Sequence, residues 1–156
     1  MKTLLFAFVL LTLAFLAWPF SVIYRLDQAL VENDRSAIEQ LIDVESIQEQ
    51  IKQKMNKNVE SSIGDVSNGF VEWLQSGIQR LGNDAIDNLV NLDWATAQLR
   101  SHNPDIRKGG FIDHLSYAFF DGPDSLLLRI GELGENPVHA KLTLQQTHWR
   151  ITAIYN

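Results

Sequence analysis

Between Lys2 and Arg25 lies an unbroken run of 22 residues, Thr3 to Tyr24, that carries no charge. At ~1.5 Å rise per residue such a run makes a helix of roughly 33 Å, about the thickness of a bilayer's hydrocarbon core. Leu4 to Leu16 is almost entirely Leu, Phe, Ala and Val. Trp18 and Tyr24 fall where an interfacial aromatic belt lies, and Pro19 is expected to kink or end the regular helix. A cleaved signal peptide shares the charged start and apolar centre. Here, however, Phe15 and Trp18-Pro19-Phe20 hold the places where a small-x-small cleavage site falls. Residues 1–25 are therefore expected to be a retained single-pass anchor, and residues 26–156 one extracytoplasmic domain. Lys2 favours a cytoplasmic amino terminus, Arg25 opposes it, and the acids from Glu32 to Glu45 contribute little to orientation. The expected topology is amino terminus in, domain out.

The part after the anchor is long enough to bury a modest core. Its partners are narrowed by charge. A formal net charge of -6 argues against nucleic acid, whose phosphates need a basic face, and gives no help on an anionic membrane surface. The absence of cysteine excludes disulfides and thiolate chemistry without fixing the compartment.

Ile23, Leu26 and Leu30 share one helical face, so a helix continues straight out of the anchor until Asn33-Asp34 breaks the pattern. Ser36-Ala37-Ile38-Glu39 has capping-box spacing, predicting a short helix to Ile42. A second helix starts near Asp43 with an apolar stripe at Ile47, Ile51 and Met55, and with Lys52, Lys54 and Lys57 in its last turns, where the dipole favours cations. Residues 37–52, AIEQLIDVESIQEQIK, align without a gap to residues 85–100, AIDNLVNLDWATAQLR. This predicts a repeated helix–corner–helix unit in which an Asx residue ends one helix, an apolar residue plugs the corner, and Glu45 or Asp93 caps the next helix. Any two capped amphipathic corners look somewhat alike, which is the competing reading. Ile63, Val66, Phe70, Trp73, Leu74, Ile78 and Leu81 keep helical spacing between the two units. Glu60, Asp65 and Glu72 disfavour anionic lipid there, so this helix is expected to pack on the domain core.

After Pro104 the period changes to two. Leu115, Tyr117 and Phe119 alternate with His114, Ser116 and Ala118; a turn follows at Asp121-Gly122-Pro123-Asp124; then Leu126, Leu128 and Ile130 alternate. Beyond a loop from Gly131 to Pro137, Val138, Ala140, Leu142 and Leu144 alternate cleanly, and Trp149, Ile151, Ala153 and Tyr155 close the chain. These runs predict a four-stranded antiparallel meander with one buried face. Its outward rows would be His114 and Ser116, then His139, Lys141 and Thr143, then Arg150 and Thr152. The fold class is α+β: an N-terminal transmembrane helix, several short helices, then the meander covered by helices on one face.

The run Trp18-Pro19-Phe20-Ser21-Val22-Ile23-Tyr24-Arg25-Leu26, the corner residues Gln28-Ala29-Leu30, Asn33-Asp34 and Leu41-Ile42-Asp43, then Leu89-Val90 and Trp149-Arg150-Ile151-Thr152-Ala153-Ile154 resemble a bacterial family known as domain of unknown function 2939. The resemblance covers most of the chain through packing and capping residues. It departs at Val44-Glu45 and is loose from Lys57 to Gly82. It implies a single-pass protein of the bacterial inner membrane with its domain in the periplasm, and it implies no activity.

No residue pattern names a reaction. His102, His114, His139 and His148 lack the H-x-x-x-H or H-x-H spacing that sets two metal ligands together, and Asp113-His114 would point to opposite faces of a strand. Gly109-Gly110 after Arg107-Lys108 lacks a phosphate-loop context, no serine sits in a Gly-x-Ser-x-Gly elbow, and Asp121 and Asp124 are explained by their turn. The expectation is no catalytic residue, no metal and no cofactor. Binding candidates are the aromatics Phe70, Trp73, Trp94, Tyr117 and Trp149, which could line a cavity between sheet and helices or simply fill the core. The polar His114, His139 and Arg150 join them as candidates on the outward rows. The reading is a membrane-anchored envelope protein, a non-enzymatic binding or accessory module with a possible envelope protein partner. The alternatives are a small-ligand binder with an aromatic cavity and, by fold analogy alone, an open-cone α+β enzyme.

Overall fold

The structure, a computed structural model, describes residues 2–60, 72, 76–77, 84–103, 105 and 109–155. Helix α1 runs unbroken from Lys2 to Glu32, with Pro19 inside it. A proline removes one backbone hydrogen bond and strains the turn before it. The helix nevertheless continues, because the following turns are held by burial of Val22, Ile23, Leu26, Ala29 and Leu30. Its first half buries nothing, and its length and composition suffice to cross a membrane. One helix is thus apolar on all sides at its start and the central core element at its end.

At the far end of α1 the chain makes a Schellman turn. Asn33 takes the left-handed conformation (φ 57), its N–H reaches Leu30 O at 3.3 Å, and the Asp34 N–H reaches Ala29 O at 2.9 Å. Arg100 donates a further hydrogen bond to the Leu30 carbonyl. Helix α2 (Arg35–Leu41) begins at once, with the Asp34 carboxylate accepting from Ala37 N at 3.1 Å. Asp34, and not Ser36, is therefore the cap, and Glu39 pairs with Arg35 instead of closing a box. The Schellman turn delivers Asp34 to the helix entrance before Ser36 can occupy it.

Helix α3 (Val44–Glu60) follows a two-residue corner, and α4 (Ala85–Leu89) and α5 (Leu92–Leu99) repeat the arrangement. Ile42 and Val90 are the buried plugs, each returning its N–H to the carbonyl four residues back, Ile38 O and Ile86 O. Asp43 accepts from Ser46 N at 3.0 Å, and Asn91 from Trp94 N at 2.9 Å. The two aligned segments are structurally equivalent. The Asx residue caps the helix that follows, however, so Glu45 and Asp93 are not the caps. The units also lean on one another through Arg35–Asp93 at 2.8 Å and Lys52–Asp87 at 2.7 Å. The helix expected across Ile63–Leu81 falls outside the described residues apart from 72, 76 and 77, and the Met55 side chain is likewise not described.

A 3-10 turn (Phe111–His114) leads into β1 (Leu115–Gly122), β2 (Ser125–Ile130), β3 (Val138–Gln145) and β4 (His148–Tyr155), paired antiparallel in the order β1-β2-β3-β4. Asp27, buried in α1, accepts from Ile112 N at 3.1 Å at the start of that turn. It lies so close against Gly110 that a Cβ there would collide with its carboxylate. The paired glycines mark this close approach.

The faces of β2 and β3 are as expected, with Leu126, Leu128, Ile130, Val138, Ala140 and Leu142 buried. Both edge strands depart from the expectation for one reason. Leu115 opposes Ile130 but Tyr117 opposes Arg129, so Ser116 is an extra residue, and the face reverses beyond it. Ala118 and Phe120 therefore turn inward, while Tyr117 and Phe119 turn outward. In β4 the extra residue is Thr152, since Ile151 opposes Leu142 and Ala153 opposes Lys141. Ile154 takes the inward place that Ala153 and Tyr155 were expected to share. Each bulge carries a hydroxyl that fills the broken ladder. Ser116 Oγ donates to Gly131 O at 2.7 Å and accepts from Arg129 Nε at 3.0 Å, and Thr152 Oγ1 lies 2.8 Å from Thr143 Oγ1.

Candidate functional site

The free edge of β4 is closed by the α2–α3 corner. Ile42 bridges Ile151, and Asp43 N donates to Ile151 O at 2.8 Å, which leaves less of an open strand edge. At this seam Asp43 is a hub. Its two oxygens accept from the Ser46 N–H at 3.0 Å, the Ser46 hydroxyl at 2.9 Å and the Gln145 amide at 2.8 Å, with Arg150 Nη1 at 3.7 Å. Burial of the carboxylate, whose side chain is 15% exposed, works against its charge. The hydrogen bonds from Ser46 and Gln145 and the Arg150 charge outweigh burial and hold its pKa below the ordinary carboxylate value.

Gln145 separates two open clefts. The larger, about 750 Å³, lies between α2 (Ser36, Glu39, Gln40) and the β3–β4 turn (Gln145, Gln146, His148, Arg150). The smaller, about 410 Å³, lies between the start of α3 (Asp43 to Gln50) and Thr143, Gln145 and Thr152. Several walls of these clefts are occupied internally. Arg150 Nη2 donates to Glu39 O at 3.2 Å and Ile42 O at 3.1 Å, the carbonyls that the helix corner leaves without a partner. Gln40, Gln146 and His148 stand exposed at the rim. Such a lining offers amide donors, amide acceptors and an imidazole, a chemistry suited to hydrogen-bonding a polar partner.

The aromatics expected to line one cavity are dispersed. Trp149 is 1% exposed and packs edge-on to Phe120 at 6.4 Å, whereas Tyr117 is on the opposite face of the sheet, stacked on Phe119 at 6.0 Å. Trp94 packs half-buried against the core, and Phe70 and Trp73 lie outside the described residues. Of the polar candidates, His139 is on the outer face of β3, stacked on Tyr155 at 5.3 Å. His114 is exposed at the end of the 3-10 turn, not on a strand. It lines a separate pocket of about 300 Å³ with His102, Asp113, Ser116, Glu132 and Glu135. Among the described residues no group of three or more His, Cys, Asp or Glu side chains could hold a metal ion. Arg150 alone of the candidates reaches the larger cleft. Asp43, Gln145, Gln146 and His148 were missed as site residues; only the Asx corner at Asp43 carried a local signal.

The fold and clefts define a class: an α+β domain built directly on the end of a membrane-length helix, with a polar cleft where helix corner meets sheet edge. A family model described as protein of unknown function (DUF2939) matches residues 8–97, and the chain belongs to that family. The matched stretch takes in α1 from residue 8 and both helix–corner–helix units up to residue 97, and stops before the strands. No curated protein and no solved structure matches the chain.

Proposed function

We propose that the chain is a single-pass protein of the bacterial inner membrane whose domain stands in the periplasm and acts as a non-enzymatic docking module for another envelope protein. The observation that carries this reading is the continuity of α1. Its exposed apolar half leads without a linker into Val22, Ile23, Leu26 and Leu30 of the domain core. A signal peptide is removed at an extended segment, and here the chain is helical through the whole exit region. A module held this way presents the cleft between α2 and the β3–β4 turn at a fixed orientation to the membrane. The groups at its rim, Gln40, Gln146 and His148, suit hydrogen bonds to a polypeptide.

The test has two parts. The protein should stay in the membrane fraction after carbonate washing, and a reporter fused after Asn156 should be active only outside the cytoplasm. Recovery of a shortened soluble form overturns the anchor. Single alanine substitutions of Gln40, Gln146 and His148, in a strain whose phenotype depends on this gene, should give graded, partly additive losses. One substitution that abolishes function in a folded protein overturns the non-enzymatic reading.

A further inference from the structure

We infer that the base of the domain does not stand clear of the bilayer but rests in its interfacial layer, with Phe119 of β1 as a lipid contact on the outer face of the sheet. This rests on the membrane-anchor reading above. The part of α1 free to face lipid on every side is short, although Phe20 and Tyr24 stay exposed on one side beyond it. From Thr3 to Trp18 every residue is exposed, whereas Pro19, Val22 and Ile23 are already enclosed by the domain. Those 16 residues span roughly 24 Å, against a hydrocarbon core of ~30 Å. A deficit of that size is met by thinning the membrane or by drawing the adjoining protein surface down into the headgroup region.

The surface next to the exit is built for the second outcome. Phe20, the first residue after Pro19, is 45% exposed and sets its ring against Phe120 at 6.3 Å. This contact ties the Phe120 end of β1 to the level of the helix exit. The neighbouring Phe119 is thrown to the other face by strand alternation and is 58% exposed. It stacks on Tyr117, itself 39% exposed, with the Arg129 guanidinium 5.4 Å from the Tyr117 ring centroid. Aromatic rings with an attendant arginine are the side chains that settle at headgroup depth. Apart from Leu133 in the β2–β3 loop, at the opposite end of the sheet, no described large apolar residue beyond Tyr24 is as exposed as Phe119. The acidic Asp121 and Asp124 beside it favour zwitterionic over anionic headgroups, and Asp121 is already paired with Lys141 at 2.6 Å.

The chain contains no cysteine, so single nitroxide labels can be placed on the full protein. In phosphatidylcholine nanodiscs, F119C should show a ratio of oxygen to aqueous nickel-complex collision several-fold above that of L133C and approaching that of F8C in the span. Y117C reads the same face and serves if F119C fails to fold. Equal ratios at 119 and 133, with F8C in lipid, overturn the inference and leave the anchor standing. F8C in water overturns both. Protection at 119 that disappears on dilution with unlabelled chain assigns the face to a second copy and overturns lipid contact.

Discussion

Asp43 and Gln145 are 102 residues apart in sequence, and the side-chain amide nitrogen of Gln145 lies 2.8 Å from a carboxylate oxygen of Asp43. This contact joins the turn end of β3 to the first turn of α3. Asp43 also caps that helix and faces Arg150, so one charge holds three elements together.

Asp43→Ala should cost about 2–3 kcal/mol, the cap and the stranded Gln145 amide together, and Asp43→Asn about 1–2 kcal/mol. The sign of the pH effect follows from the depressed native pKa. The carboxylate's contribution is fully present above its unfolded value near 4 and is lost as pH falls through the lower native value. Urea unfolding of wild type and Asp43→Asn in detergent should therefore differ at pH 7 and converge in acid. A gap that widens in acid contradicts the linkage.

Gln48 in α3 donates one amide to Val90 O at 2.8 Å and Asp87 O at 3.3 Å. These carbonyls occupy the same places in the second unit that Ile42 O and Glu39 O occupy in the first, where Arg150 satisfies them. Gln48→Ala should destabilise by about 1–2 kcal/mol. Gln48→Glu should be worse, because it sets an acceptor against acceptors. Equal midpoints for wild type and Gln48→Glu would remove this contact from the account.

The bulge at Ser116 makes a sharp comparison. Phe120→Ser should cost about 2–4 kcal/mol by emptying a place beside Trp149, while Tyr117→Ser should change the unfolding midpoint little. In β3, Leu142→Asp should unfold the domain and Thr143→Ser should be tolerated. Reversal of the Tyr117 and Phe120 effects would restore the uninterrupted alternation.

Trp149 is buried, and its indole N–H meets no hydrogen-bond partner among the described residues. Trp149→Phe should thus cost less than about 1.5 kcal/mol, and Trp149→Ala about 3–5 kcal/mol. A large loss on Trp149→Phe, measured by thermal unfolding, would point to a partner for that N–H.

What was legible in sequence was local. The membrane-length helix, the two equivalent corners and strands β2 and β3 each announce themselves within one turn or one alternation. Which residue caps a helix was less so, because Asp34 wins over Ser36 only once the Schellman turn sets the entry. The edge-strand faces were illegible for a different reason. Leu115-x-Tyr117-x-Phe119 keeps a perfect period of two, yet a single residue skipped by the ladder reverses what that period means. The candidate site was hidden further still. Gln145 and Arg150 acquire their roles from α2 and α3, more than 95 residues away, and nothing around them in the chain records that meeting.

The unbroken path of α1 through Pro19 makes the domain and the membrane-length apolar half of the helix a single shaft. With the apolar half seated in a bilayer, as proposed above, one alanine inserted between Ala17 and Trp18 would lift the domain by only ~1.5 Å but turn it about the helix axis by roughly 100°. Four inserted residues would nearly restore its heading while raising it by about 6 Å. Azimuth and height are thereby geared to each other through the helical pitch, and a partner in the same membrane would meet a face whose compass bearing is set by residue count.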